Sequence, residues 1–326
     1  MARFSKGDTG TVDLKTSPSA LFNNLSCNGH YCTFVKGNNV YRFFEGATNG
    51  TMEPNCTDIA LKDDSDVTQA RWCFVDGRFY LVTSSSNGIH IFRDDAKTVE
   101  YVFPLKSSEI EFGDDSEGAQ FTRGITHIAK TNQICVGAST GHIFTFDVSS
   151  SEGINLSETK ACHKYPICAL GNIESTLISS DDYGNVVLWD ADDDYVEYCR
   201  FGGHGYPCSG VAGRDNFVIA AYVTGHVRVF SIREKSLHTE ISGHCRAITG
   251  LDLHPALNVF ATVGEDSILN VWELPSAENE NQVTICMSTC CTDSYFTGVS
   301  FSQNGTGNLL TNSYDQGTIK YWMGNL

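Results

Sequence analysis

The sequence predicts an all-β chain: a single seven-bladed β-propeller of four-stranded antiparallel blades spanning residues 1–326. Three observations predict it. Seven strand-like segments each end in an aromatic residue: Phe43, Phe92, Phe146, Trp189, Phe230, Trp272 and Trp322. These residues recur at steps of 49, 54, 43, 41, 42 and 50. A turn motif, most often with Gly, precedes each of them. A repeat of roughly 40–50 residues with such a turn marks blades arranged around an axis. Glycine suits these turns because it takes the positive φ of a tight hairpin without steric cost.

The strands follow in chain order, each read from alternation or a short apolar run between turns. Tyr31–Val35 and Val40–Phe44 form a hairpin across Gly37-Asn38-Asn39, and Phe79–Thr83 and Ile89–Phe92 another across Asn87-Gly88. Blade three has Ile134–Gly137 and Ile143–Phe146 around Thr140-Gly141. Blade four has Leu177–Ser180 and Val186–Trp189 around Asp181-Asp182-Tyr183-Gly184. Blade five has Val218–Tyr222 and Val227–Phe230 around Thr224-Gly225. Blade six shows Ile248–Leu253, Val259–Val263 and Ile268–Trp272, the last two joined by Gly264-Glu265-Asp266. Blade seven has Leu309–Ser313 and Ile319–Trp322 around Asp315-Gln316-Gly317.

The sequence runs only four residues past Trp322, so the last blade lacks its outer strand. Gly10–Leu14, ahead of the first full blade, is one strand too many. The ring is therefore expected to close through residues 1–15, with this segment pairing as the outer strand of the last blade. An open ring would leave two unpaired sheet edges.

A second repeated element precedes some blades. His244, His204 and His163 stand 28, 26 and 26 residues before Trp272, Phe230 and Trp189. Such a His can bond the Asp of the turn between the second and third strands, with a hydroxyl and the Trp completing the network. Blade six offers His244, Asp266, Thr262 and Trp272; blade four offers His163, Asp182, Ser179 or Ser180, and Trp189. Buried polar side chains pair, and a satisfied network stiffens its blade. Blade five has His204 without the Asp or the Trp.

The net charge of −17 excludes sequence-independent binding to nucleic acid or to an anionic membrane, both of which need a basic footprint. No run of 18 apolar residues occurs, so membrane insertion is not expected, and Met1-Ala2-Arg3-Phe4-Ser5-Lys6 lacks the apolar core of a secretory signal. The 13 cysteines are scattered and include no CxxC pair. They are expected to be reduced thiols packed as small apolar groups, with no metal site; Cys286, Cys290 and Cys291 come nearest to one. Two acidic runs, Glu109–Glu117 and Asp190–Asp194, lack the ligand register of a calcium loop and are expected to be solvated, as is the polar excursion Asn279–Gln282. The chain carries no GxSxG, Walker-type loop, HExxH or GxGxxG after a strand. The expectation is a protein that is not an enzyme and takes no cofactor.

The loops entering the inner strands should open on one face near the axis. They carry Arg71, Arg123, Tyr165, Tyr206, Arg246 and Phe296. Arg and Tyr are enriched where interfaces concentrate their energy. These six residues form the candidate protein-binding face, for protein or peptide partners.

Several segments outside the generic repeat pattern resemble one family. They include Leu21-Phe22-Asn23-Asn24-Leu25-Ser26, Gln69-Ala70-Arg71-Trp72-Cys73, Arg123-Gly124-Ile125, Tyr206-Pro207-Cys208 and Arg246-Ala247-Ile248 with Gly264-Glu265-Asp266. The chain is similar to the WD-repeat-containing protein 54 family of WD-repeat propellers over all seven blades. The resemblance implies a non-catalytic interaction scaffold, cytoplasmic or vesicle-associated, linked to receptor and kinase signalling and able to form homo-oligomers. It carries over no ligand motif. Two other expectations stand beside the scaffold: a constitutive subunit docking by its rim, and a propeller enzyme with an axial site.

Overall fold

A computed structural model describes residues 3–4, 10–14, 16–45, 57–61, 65–106, 120–149, 153–276, 281–304 and 307–325. The acidic run Glu109–Glu117, Cys56 and part of the Asn279–Gln282 excursion lie outside them. The described chain forms seven four-stranded antiparallel sheets, each running from an inner strand a to an outer strand d. Blade six is Ile248–Leu253, Val259–Gly264, Ile268–Glu273 and Thr284–Cys290. Blade four is Ile167–Ile173, Thr176–Asp181, Val186–Asp190 and Val196–Phe201.

Period-2 alternation explains the packing. Successive side chains of a strand point to opposite faces of its sheet. Each face here meets a different neighbouring blade. In blade six, Val259, Ala261 and Val263 pack toward blade seven, whereas Phe260 packs toward blade five. The buried apolar residues accordingly divide into seven clusters, one in each wedge between neighbouring blades. The closing aromatics obey one rule throughout. Trp272 lies in the wedge shared with blade five, Trp189 with blade three and Trp322 with blade six. Phe43 does the same with blade seven across the seam of the ring.

The ring closes as the strand count requires. Thr11–Asp13 pairs with Thr318–Trp322 in the order Thr11 to Lys320, Val12 to Ile319 and Asp13 to Thr318. Two flanking bonds extend the ladder: the Tyr321 amide donates to the Gly10 carbonyl and the Leu14 amide to the Gly317 carbonyl. Val12 is buried with Leu310, Ile319 and Tyr321 of the last blade and with Leu25, Phe34 and Phe43 of the first. A second pair, Arg3–Phe4 with Gly324–Asn325, lies beyond it.

One difference from the sequence reading concerns the thiols. Cys27 and Cys32 stand opposite each other across the first hairpin, with Cα atoms 4.1 Å apart, and their sulfurs are bonded. The other ten described cysteines are free thiols. Antiparallel register brings this pair together, which scattered spacing does not reveal. With Glu45 the two sulfurs form a group of possible metal ligands within 4.8 Å. The donor set does not fit a metal. The sulfurs bond each other, and Glu45 already accepts from the Gly29 amide and the Ser302 hydroxyl.

Val12→Asp should cost about 2–4 kcal/mol, because it puts a carboxylate into an apolar wedge and weakens the closure. Thr11→Asp, one residue away on the exposed face of the same strand, should change stability by under about 0.5 kcal/mol. Urea denaturation of both variants checks this.

Candidate functional site

The polar networks fix the loops that bear the site. In blade six the His244 imidazole joins Asp266 through Nδ1 at 3.0 Å and Thr262 through Nε2 at 2.9 Å. Trp272 Nε1 donates to the same Thr262 hydroxyl at 3.0 Å. The Cys245 amide donates to Asp266, so the network also anchors the loop entering strand a. Gly225 of the preceding blade supports the loop from below. Its φ is +83°, its carbonyl accepts from the Gly243 and His244 amides, and a Cβ there would stand 2.2 Å from the His244 carbonyl oxygen.

Blade four builds the same device with a Ser in place of the Thr and a shifted Asp. His163 meets Ser179 through Nε2 at 2.7 Å, and Trp189 Nε1 donates to that hydroxyl at 2.8 Å. The carboxylate facing His163 Nδ1 is Asp181 at 2.8 Å, not the expected Asp182. The reason is spacing. Asp266 stands six residues before its Trp, but Tyr183 holds that place before Trp189, and Asp181 reaches in from eight residues before it. Asp181 also accepts from the Tyr183 and Asn185 amides and the Asn185 side chain. Burial pushes its carboxyl up, but bonds from His163 and Asn185 prevail and hold it below the usual range. Asp182 instead accepts from the Cys168 thiol at 2.7 Å and faces Arg123 at 3.4 Å.

Blade five lacks the acceptors. Ala220 and Thr224 hold the places of Thr262 and Asp266, ten and six residues before the closing aromatic. Both ring nitrogens of His204 are buried without a hydrogen-bond partner, and the ring packs edge-on to Tyr222 at 4.3 Å. Blade seven has no such His, yet Trp322 Nε1 donates to Thr311 at 3.0 Å.

On this frame the six expected face residues separate by register. Strand a begins at Ile167, Cys208, Ile248 and Phe296 in blades four to seven, each followed by a bulge. Tyr165, Tyr206 and Arg246 each lie two residues before that start, in equivalent loop positions. They share one face. Phe296 is itself the first strand residue and is fully buried between blades six and seven, so it is removed from the face. Arg71 lies in mid-strand within Val67–Val75 and lines the axial cavity, so it too leaves the face. Arg123, one residue into its strand, is half-tethered: it donates to Cys168 Sγ at 3.2 Å and lies over the Phe121 ring.

The face holds residues that the repeat grammar did not single out. Tyr183 stacks on Tyr165 with ring centroids 5.1 Å apart, and Tyr295 meets Tyr314 at 6.0 Å. Tyr295 donates its hydroxyl to Glu265, which lies 3.8 Å from Arg246. Tyr206 is 53% exposed, Tyr314 50% and Tyr183 46%. The signal for them was available: Tyr183 and Tyr314 sit in turns between strands b and c, which open on the same face as the entry loops. On the side of blades one to three the face has a cavity of about 300 Å³, lined by Ala20, Leu21, Phe22, Thr68, Phe121 and Arg123. The result is an aromatic arc over blades four to seven beside an apolar cavity with a cationic edge.

Seven four-stranded blades, two of them with complete His–Asp–hydroxyl–Trp networks, define a WD-repeat propeller. The family model WDR54 matches residues 10–324, and the chain belongs to the WDR54 family. It is 27% identical over 330 residues to human WD repeat-containing protein 54, covering 95% of this chain and 97% of that protein. It is 29% identical over 263 residues to WD repeat domain 54 of Rattus norvegicus, covering 78% of this chain and 77% of that protein. A chain of the mitotic checkpoint complex crystal structure superposes with a TM-score of 0.75 at 17% identity, over 98% of this chain and 93% of that one. Chaetomium thermophilum Raptor gives 0.75 at 11% identity, over 97% of this chain and 28% of its own. These structural likenesses show the fold.

Two outcomes follow for stability. His244→Ala should cost about 1–3 kcal/mol, since it strands buried partners, while His204→Leu should change stability by under about 0.5 kcal/mol because no bond is lost. Urea midpoints separate the two. The second concerns acid. His127, His142, His204, His244 and His254 are all held below the ordinary imidazole value, first by burial, with His127 lowered to about 4. Below about pH 6.5 the unfolded chain binds protons that the folded one refuses, so stability falls on acidification. The urea midpoint should decline from pH 6.5 toward 4, and His127→Gln should flatten that decline.

Proposed function

We propose that this protein is a non-catalytic scaffold that binds a partner protein on the face carrying Tyr165, Tyr206 and Arg246. WD-repeat propellers serve in general as protein-interaction scaffolds, and the family membership supports that level of the reading. One observation carries the finer statement: exposed tyrosines and an exposed Arg246 gather on one face, next to an apolar cavity. Tyrosine supplies large contact area at low entropic cost, and Arg adds directed hydrogen bonds. Buried networks pin the loops bearing Tyr165 and Arg246, so these parts of the protein lose little freedom when a partner docks. The partner segment that suits this face places an apolar side chain in the cavity and lies across the tyrosine arc. The setting implied by the family resemblance, receptor and kinase signalling in the cytoplasm or on vesicles, belongs to this proposal.

The rim is a weaker candidate. Val196, Leu237 and Ile285 are exposed on outer strands, but they stand singly on different blades. Scattered apolar residues of that kind are normal on a soluble surface.

The test compares lysate capture by wild type and by a Tyr165→Ala, Tyr206→Ala, Arg246→Glu triple variant of matched thermal stability. A defined set of partners should be lost, and binding of any purified member should weaken at least about tenfold, the effect of losing about 1.4 kcal/mol. Identical partner sets would refute the face.

A further inference from the structure

Arg71 is the residue that the fold moves farthest from its expected role. It lies on the inner strand of blade two and lines an axial cavity of about 210 Å³. Ser26, Gln69, His127, Asp252 and Ser300 share that lining. These residues come from blades one, two, three, six and seven, so the cavity is on the axis and belongs to no single wedge. Phe74 and Phe79 also line it and flank the turn between strands a and b, at the end opposite the tyrosine face.

The donors of Arg71 have no hydrogen-bonding partner among the described residues of the cavity. Arg71 is half-buried and makes no hydrogen bond or ion pair with any described residue. Asp252 is the acidic residue of the lining, but its hydrogen bonds go elsewhere. It accepts from the Phe301 amide at 2.7 Å, and also from the Leu253 amide and the Ser300 hydroxyl, which ties blade six to blade seven. Burial pushes the Asp252 carboxyl up and the positive charge of Arg71 is the first influence that opposes this, so the two groups are coupled by charge but not by a hydrogen bond. His127, lowered by burial and by Arg71, is neutral near pH 7 and adds no positive charge of its own. A half-buried guanidinium with unpaired donors can offer them to an anion that enters the cavity. Its planar fork matches the two oxygens of a carboxylate or a phosphate.

We infer that the axial cavity is a binding site for a small oxyanion, with Arg71 as its anchor. The volume sets the class. Pockets for drug-sized ligands run to roughly 300–1,000 Å³, so this one suits a phosphate or a short carboxylate. The net charge of −17 does not oppose this, because solvent and salt screen distant charges while Arg71 acts at contact. The oxyanion is either a free small molecule or the carboxylate of a partner's acidic side chain entering past Phe74 and Phe79.

The test uses the full chain and constant ionic strength. Wild type, Arg71→Gln and Arg246→Gln are titrated with inorganic phosphate and, separately, with N-acetyl-glutamate amide, by thermal shift and calorimetry. Saturable stabilisation by either probe is expected in wild type and in Arg246→Gln, with at least a tenfold loss of affinity in Arg71→Gln. Saturation by phosphate identifies a free anion, and saturation by the glutamate compound alone identifies a partner carboxylate. If Arg71→Gln does not fold, Arg71→Lys keeps the charge but loses the fork, and should still bind measurably more weakly than wild type. No saturable effect in wild type with either probe, or equal affinity in the Arg71 variant, would overturn the site.

Discussion

A strand of only three residues, Thr11–Asp13, holds the ring shut, and every wedge of the core depends on that closure. No blade has a core of its own. Each sheet shares its two apolar faces with its neighbours, so the seven clusters exist only while all seven blades stand side by side. If the seam opened, strand Thr318–Trp322 would present an unpaired edge and the wedge holding Val12, Phe34, Phe43 and Ile319 would meet water. Sheet edges left free invite pairing with other chains. A short strand suffices because its side chain Val12, flanking bonds from Leu14 and Tyr321, and the packing of Leu310 all act together.

The repeat made the architecture legible because blade geometry is local. A closing aromatic, a turn and an alternating strand recur whatever the partner, and blade boundaries follow. Site residues were less legible because a shift of one or two residues changes their destination. Phe296 begins its strand where Tyr206 lies two residues ahead of one, and that difference separates core from surface. A bulge near the start of strand a blurs this register in the sequence. Arg71 was displaced by the long inner strand of blade two, which starts at Val67. The Asp181–Asp182 choice was undecidable from composition, since adjacent carboxylates differ only in which way the turn points them. The Cys27–Cys32 bond needed the cross-strand register.

The two ends of the axis therefore carry different chemistry. One end is broad and aromatic, with loops braced by His163, His244 and their partners. The axial cavity, which reaches Phe74 and Phe79 at the other end, is polar and holds a guanidinium with no hydrogen bond to any described residue. A rigid ring lets the two act independently, since neither needs the sheets to move.

Native-state hydrogen exchange on the purified protein tests the central claim, that closure by Thr11–Asp13 governs the whole ring, most directly. Amides in the Thr318–Trp322 ladder should be protected to the same free energy as those of Val186–Asp190 in blade four, and both should open together. Fast exchange confined to Thr11–Asp13 and Thr318–Trp322, with blade four still fully protected, would contradict the account.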